Sequence, residues 1–219
     1  MFPRTVLFDL DGTLLDHFRA IYRCHVYAMR QLGMPEPTYA QVHAAVGRGL
    51  DEAIATLAGP ENVARILPIY MEHWHATNLD DVVLLPGALE LLQALRDRGV
   101  PSAVLTNKRA DASQAVCAHL GLTPLLAEIF GAHDTPWLKP DSRFAAHALS
   151  KLGAAANTTV LVGDSIFDLA AAQNAGLRFL GVTTGTHTAA ELRERGATEI
   201  FASLAEVHAA LFADAPSRN

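Results

Sequence analysis

The chain has 219 residues, half of them of hydrophobic type, which suffices for one large core or for a core with a smaller second lobe. The formal net charge is −6 and the basic residues are scattered, which argues against a nucleic-acid partner. No apolar run approaches the ~20 residues of a membrane span, no secretory leader is expected, and Cys24 and Cys117 fit neither a disulfide framework nor a zinc site, so the reading is a reduced, cytoplasmic protein.

The first element is the uncharged run Thr5-Val6-Leu7-Phe8, which reads as a buried strand of a parallel sheet because it is apolar on both faces. It ends in two acids and a glycine, Asp9-Leu10-Asp11-Gly12. From about Leu14 to Asp81 the texture is helical. Ala20, Ile21, Cys24, Ala28 and Leu32 form one amphipathic face, closed by Gly33. Thr38 is a good N-cap for a second helix to about Val46. After Gly47-Arg48-Gly49 a third helix spans about Leu50 to Leu57, and a fourth about Glu61 to Asn78, with Pro68 predicting a kink or break. No strand signal interrupts this block, which reads as a small all-helical insert.

Pro86-Gly87 restarts the alternation. Helix is expected over Ala88 to Arg98, strand over Val100 to Leu105, helix over Asp111 to Leu120 and a short strand at Glu128-Ile129-Phe130. Helix Asp141 to Leu152, strand Thr158 to Val162, helix Ile166 to Asn174 and strand Leu177 to Val182 follow. Helix Ala189 to Arg195, an edge strand at Glu199-Ile200-Phe201, helix Leu204 to Phe212 and a polar tail from Asp214 complete the chain. Strand alternating with helix under glycine punctuation gives an α/β fold, a doubly wound, Rossmann-like parallel sheet.

The polar residues fall at strand ends. Asp9 and Asp11 end the first strand, Thr106 and Asn107 the second, and Gly163-Asp164-Ser165 the third strong one, with Asp168 one helical turn on. In a parallel sheet these ends lie along one edge, where ligands bind. Lys139 opens the preceding helix within Leu138-Lys139-Pro140. Four carboxylates around one point repel unless a hard cation sits among them, and oxygen ligands suit Mg²⁺. A lysine and small hydroxyl donors beside it suit a phosphoryl group.

FDLDGT, the strand-final LTN, the LKP lysine and GDSIFD together resemble the four ordered motifs of the haloacid dehalogenase superfamily, over nearly the whole chain. The similarity is greatest to phosphoglycolate phosphatase-like members, although Lys139-Pro140-Asp141-Ser142 lacks the second proline that many of those carry. The resemblance implies a catalytic core over 1–14 and 84–219, a helical cap over 15–83 and a Mg²⁺-dependent phosphomonoesterase. Its substrate would be a small phosphorylated metabolite, with 2-phosphoglycolate a candidate. It implies Asp9 as nucleophile through an aspartyl-phosphate and Asp11 as general acid and base. Thr106 and the Asn107 backbone would hold phosphoryl oxygens, and Lys139 would offset charge. Asp164 and Asp168 would bind Mg²⁺, with Asp9 and the Asp11 region completing its shell. A phosphomutase of the β-phosphoglucomutase type and a non-catalytic phosphate-binding module are the alternatives, and monomer or homodimer stays open.

Arg48, between two glycines, is the candidate substrate contact from the cap. His17 is expected to pack, Ser165 to cap a helix, and His73 and His75 to point to different helix faces rather than share a metal. Hinges are expected near Leu14–Asp16 and Asp81–Pro86.

Overall fold

A computed structural model describes residues 2–213, and the polar tail from Asp214 lies outside them. In chain order the elements are β1 Thr5–Phe8, β2 Leu15–Asp16, α1 Phe18–Gln31, α2 Tyr39–Ala45, α3 Leu50–Ala58, α4 Val63–Thr77 and β3 Val83–Leu84. There follow α5 Ala88–Asp97, β4 Ser102–Arg109, α6 Ala110–His119, β5 Glu128–Ala132, α7 Ser142–Leu152, β6 Thr159–Gly163 and α8 Ile166–Ala175. The chain ends with β7 Arg178–Val182, α9 Ala189–Glu194, β8 Ile200–Phe201 and α10 Leu204–Ala213.

Six strands form one sheet in the order β5-β4-β1-β6-β7-β8, every pair parallel. β1 lies at the centre, buried at each of its four positions. Alternation along it feeds two separate cores. Val6 and Phe8 pack with Leu91, Leu92, Val116 and Leu204 from α5, α6 and α10, whereas Leu7 packs with Phe144, Leu169 and Leu192 from α7, α8 and α9. The sheet is therefore covered on both faces, as its apolar strands require, and the fold is the α/β, Rossmann-like one.

The block α1–α4 has its own core, in which Ala20, Cys24 and Ala28 of α1 meet Ile54, Ile66, Tyr70 and Trp74. Two features differ from the sequence reading. A two-residue antiparallel ladder, Leu15↔Leu84 and Asp16↔Val83, ties together the two connections that lead into and out of the block. Strands this short carry no periodic signal. α4 also runs unbroken through Pro68, because Ile66, Tyr70 and Trp74 on either side of it are anchored against α1. No helix among the described residues is long and apolar enough to cross a membrane.

Candidate active site

The motif residues converge at the C-terminal edge of the sheet. Asp9 follows β1, Asp164 follows β6 and Asp168 sits in the first turn of α8, and each offers a carboxylate oxygen within 4.8 Å of the others. All three are buried. Ser165 is the N-cap of α8 in a reciprocal capping box: its hydroxyl accepts from the Asp168 amide, and Asp168 Oδ2 accepts from the Ser165 amide at 3.0 Å and hydroxyl at 2.5 Å. The same box that starts the helix thus fixes the Asp168 rotamer. Asp164 is held from two loops. Thr13 donates to its Oδ1 at 3.0 Å, and Thr186 donates to its Oδ2 from both amide (2.8 Å) and hydroxyl (3.0 Å).

Glycine is required where these loops meet. Gly12 has φ +84°, and a Cβ there would lie 2.8 Å from the Gly185 Cα; a Cβ on Gly185 would lie 2.1 Å from Asp164 Oδ2.

Lys139 is 4% exposed and bridges the group, with Nζ 2.7 Å from Asp9 Oδ1 and 2.5 Å from Asp168 Oδ1. The close Asp9 contact is a buried ion pair. Burial raises the Asp9 carboxyl above its ordinary value, opposed by Lys139 and reinforced by Asp168. Asp164 is raised by burial and then by the Asp168 and Asp9 charges. Lys139 is pushed the other way: burial would lower it, but Asp168 and Asp9 outweigh burial and raise it. Three carboxylates against one ammonium leave this pocket short of about two positive charges, which is the electrostatic demand of a hard divalent cation with oxygen ligands. The residues therefore fit Mg²⁺.

Asp11 is not part of that trio. Its carboxylate turns instead toward Lys108, whose Nζ donates to both oxygens at 2.9 and 3.1 Å, and toward His17 Nδ1 at 3.6 Å. The sequence expectation for the metal shell concerns the Leu10–Asp11 backbone there, and the Asp11 carboxylate is left to face the cap side. Burial alone would raise the Asp11 carboxyl, but Lys108 and His17 hold it well below the usual carboxylate range. His17 Nε2 in turn bonds the Asn78 carbonyl oxygen at 2.5 Å, and its ring lies against Trp74 of α4. Lys108 sits over the same Trp74, 4.5 Å from the ring centre. His17 thus packs, as expected, and also faces the site.

Thr106, Asn107 and Lys108 lie within β4 rather than beyond its end. The register against β5 shifts between Leu105 and Arg109, so the strand bulges where these three residues sit. Thr106 is 2% exposed and lines the cavity above Asp9. The Asn107 amide accepts from the Lys139 backbone at 2.8 Å and donates to the Lys139 and Gly47 carbonyls at 2.9 Å each, tying the lysine loop to the cap loop. Arg48 is exposed, lies over the Phe167 ring at 5.4 Å and is not among the residues that line the cavity above Asp9. Lys108, Thr13 and Thr186 were not assigned roles from sequence.

Above the acids lies a cavity that opens to solvent, walled on one side by Asp9, Asp11, Thr106 and Lys108 and on the other by the α1–α4 block.

Residues 6–182 match the family model described as haloacid dehalogenase-like hydrolase. The chain belongs to this family. Among curated relatives of this family member, a probable phosphatase IndB of Dickeya dadantii is 33% identical, covering 92% of this chain and 90% of that protein. A phosphoglycolate phosphatase of Caulobacter vibrioides is 30% identical, covering 93% and 88%. A 5′-nucleotidase of Pseudomonas aeruginosa is 29% identical, covering 94% of each. Among solved structures, a haloacid dehalogenase-like hydrolase from Bacteroides fragilis shares the fold with a TM-score of 0.89 at 24% identity, over 94% of this chain and 99% of that one. This haloacid dehalogenase-like hydrolase is a phosphatase.

Proposed function

We propose that the chain is a Mg²⁺-dependent phosphomonoesterase acting on a small phosphorylated metabolite through an aspartyl-phosphate on Asp9. The observation that carries this reading is the division of the two acids of one motif. Asp9 joins Lys139 and the acid trio, while Asp11, two residues on, turns to the cap side of the cavity.

Asp9 attacks phosphorus, and the bond to the leaving oxygen breaks. Lys139 neutralises charge on Asp9 and the phosphoryl group, and Thr106 donates to a phosphoryl oxygen. Asp11 is ionised in this state, held so by Lys108 and His17. It accepts the proton that a monoanionic ester carries and passes it to the leaving oxygen. It then takes a proton from the water that attacks the aspartyl-phosphate, and that proton leaves with phosphate. Asp9, Asp164 and Asp168 would hold Mg²⁺, which when bound supplies positive charge to the phosphoryl oxygens. The core would span 1–14 and 84–219 and the cap 15–83, with the β2–β3 ladder as the hinge about which the cap closes over the site. Two free, buried thiols suit a reducing, cytoplasmic setting.

Relatives named phosphoglycolate phosphatase and 5′-nucleotidase support a small-metabolite ester as substrate. The test is steady-state hydrolysis of a phosphate-ester panel. Turnover is expected with Mg²⁺, none with chelator, and a loss of at least ~10³-fold in Asp9→Asn. Turnover unaffected by that substitution sinks the reading.

A further inference from the structure

Resting on the phosphatase reading, the cap wall of the cavity narrows the substrate class. With phosphorus held at the Asp9 floor, the leaving group projects onto Ile21, Leu50, Ala53, Tyr70, Met71 and Trp74. The Tyr70 and Trp74 rings lie nearly parallel, 5.9 Å apart at 12°, and give this wall an aromatic face. Each cation near the wall is already matched or turned away. Lys108 is bound to both oxygens of Asp11, Arg109 pairs with Asp111 at 3.2 Å, and Arg48 lies on Phe167 outside the cavity. His25 also lines the cavity, but it is 1% exposed with no partner for Nδ1, and burial lowers it to about 4, so it is neutral at pH 7. A leaving group bearing a carboxylate would meet no free positive charge and would lose its hydration against hydrocarbon.

We infer that the substrate is the phosphate monoester of an uncharged, largely apolar or aromatic alcohol, and that an anionic ester such as 2-phosphoglycolate is a poor one. The closing experiment compares benzyl phosphate with 2-phosphoglycolate on the whole chain with Mg²⁺. kcat/KM is expected to favour benzyl phosphate by at least ~100-fold; a ratio within tenfold, or a preference for 2-phosphoglycolate, overturns the inference. Met71→Lys places a cation on a half-buried site of the wall and is expected to shift the ratio toward 2-phosphoglycolate by about tenfold, while an unchanged ratio counts against the inference. Leu50→Lys serves if that variant does not fold. Should neither ester turn over, the wider phosphate-ester panel tests the phosphatase reading. Calorimetric binding of the two esters to Asp9→Asn then decides the inference separately: tighter benzyl phosphate supports it, and equal or tighter 2-phosphoglycolate overturns it.

Discussion

Replacing Lys108 with methionine keeps most of the side-chain volume and removes the charge that faces Asp11. The two side chains are 8% and 10% exposed, so the pair is buried and solvent screens it little. At 2.9 Å and an effective dielectric near 20 the gross attraction is roughly 6 kcal/mol. Part of this offsets the cost of dehydrating both ions, and removing one partner of a buried pair typically costs about 3–5 kcal/mol. The Asp11 carboxyl limits the loss by taking up a proton, at about 1.4 kcal/mol per pH unit. A destabilisation of about 3 kcal/mol near neutral pH is therefore expected, including the lost contact of the ammonium with Trp74. The sign of its pH dependence follows from Asp11. In the parent chain its folded value is depressed, so its contribution is complete above the unfolded value of about 3.9 and is lost as pH falls through the folded value. In the variant, burial acts with only His17 opposing it and the carboxyl rises. The variant then regains stability as pH drops through that raised value. Urea unfolding at about pH 8 and about pH 5 should show a gap between parent and variant that narrows at the lower pH. A gap below ~1 kcal/mol at the higher pH, or one that does not change with pH, would refute the account of the Asp11 pair.

Gly185→Ala puts a Cβ against Asp164 Oδ2 and must displace that carboxylate, so calorimetric Mg²⁺ affinity should fall about 10–100-fold while the fold, read by circular dichroism, persists. Unchanged affinity would remove Asp164 from the metal site. Ser165→Ala deletes the N-cap of α8 and should lower stability by about 1 kcal/mol in chemical denaturation. It also frees Asp168 from the Ser165 hydroxyl, so a larger fractional loss of Mg²⁺ affinity than of stability is the expected pattern, and intact affinity would assign the serine to capping alone.

The sheet and its site-bearing edge were legible because a buried parallel strand is apolar on both faces, so the acids that end β1 and β6 stand out from their surroundings. Thr38, Ser165 and Thr188 start helices through capping boxes, and a hydroxyl three residues before its partner is a local signal. What stayed hidden depends on contacts distant in sequence. The ladder of Leu15 and Asp16 with Leu84 and Val83 is too short to show a period. β4 was read to end at Leu105, because the polar Thr106-Asn107-Lys108 resembles a loop; pairing of Arg109 with Ala132 keeps it in the sheet. The contact of Arg48 with the face of Phe167 likewise joins stretches distant in sequence. The hold of Thr13 and Thr186 on Asp164 spans 151 and 22 residues and leaves no local pattern.

Asp9 as the phosphorylated residue is the central claim. Rapid acid quench during turnover, followed by borohydride reduction and peptide mass mapping, tests it directly, since reduction converts a phosphorylated aspartate to homoserine. The account predicts homoserine at position 9, present only when ester and Mg²⁺ are both supplied, and none at Asp11, Asp164 or Asp168. An enzyme that hydrolyses ester at full rate while position 9 remains aspartate throughout would contradict it.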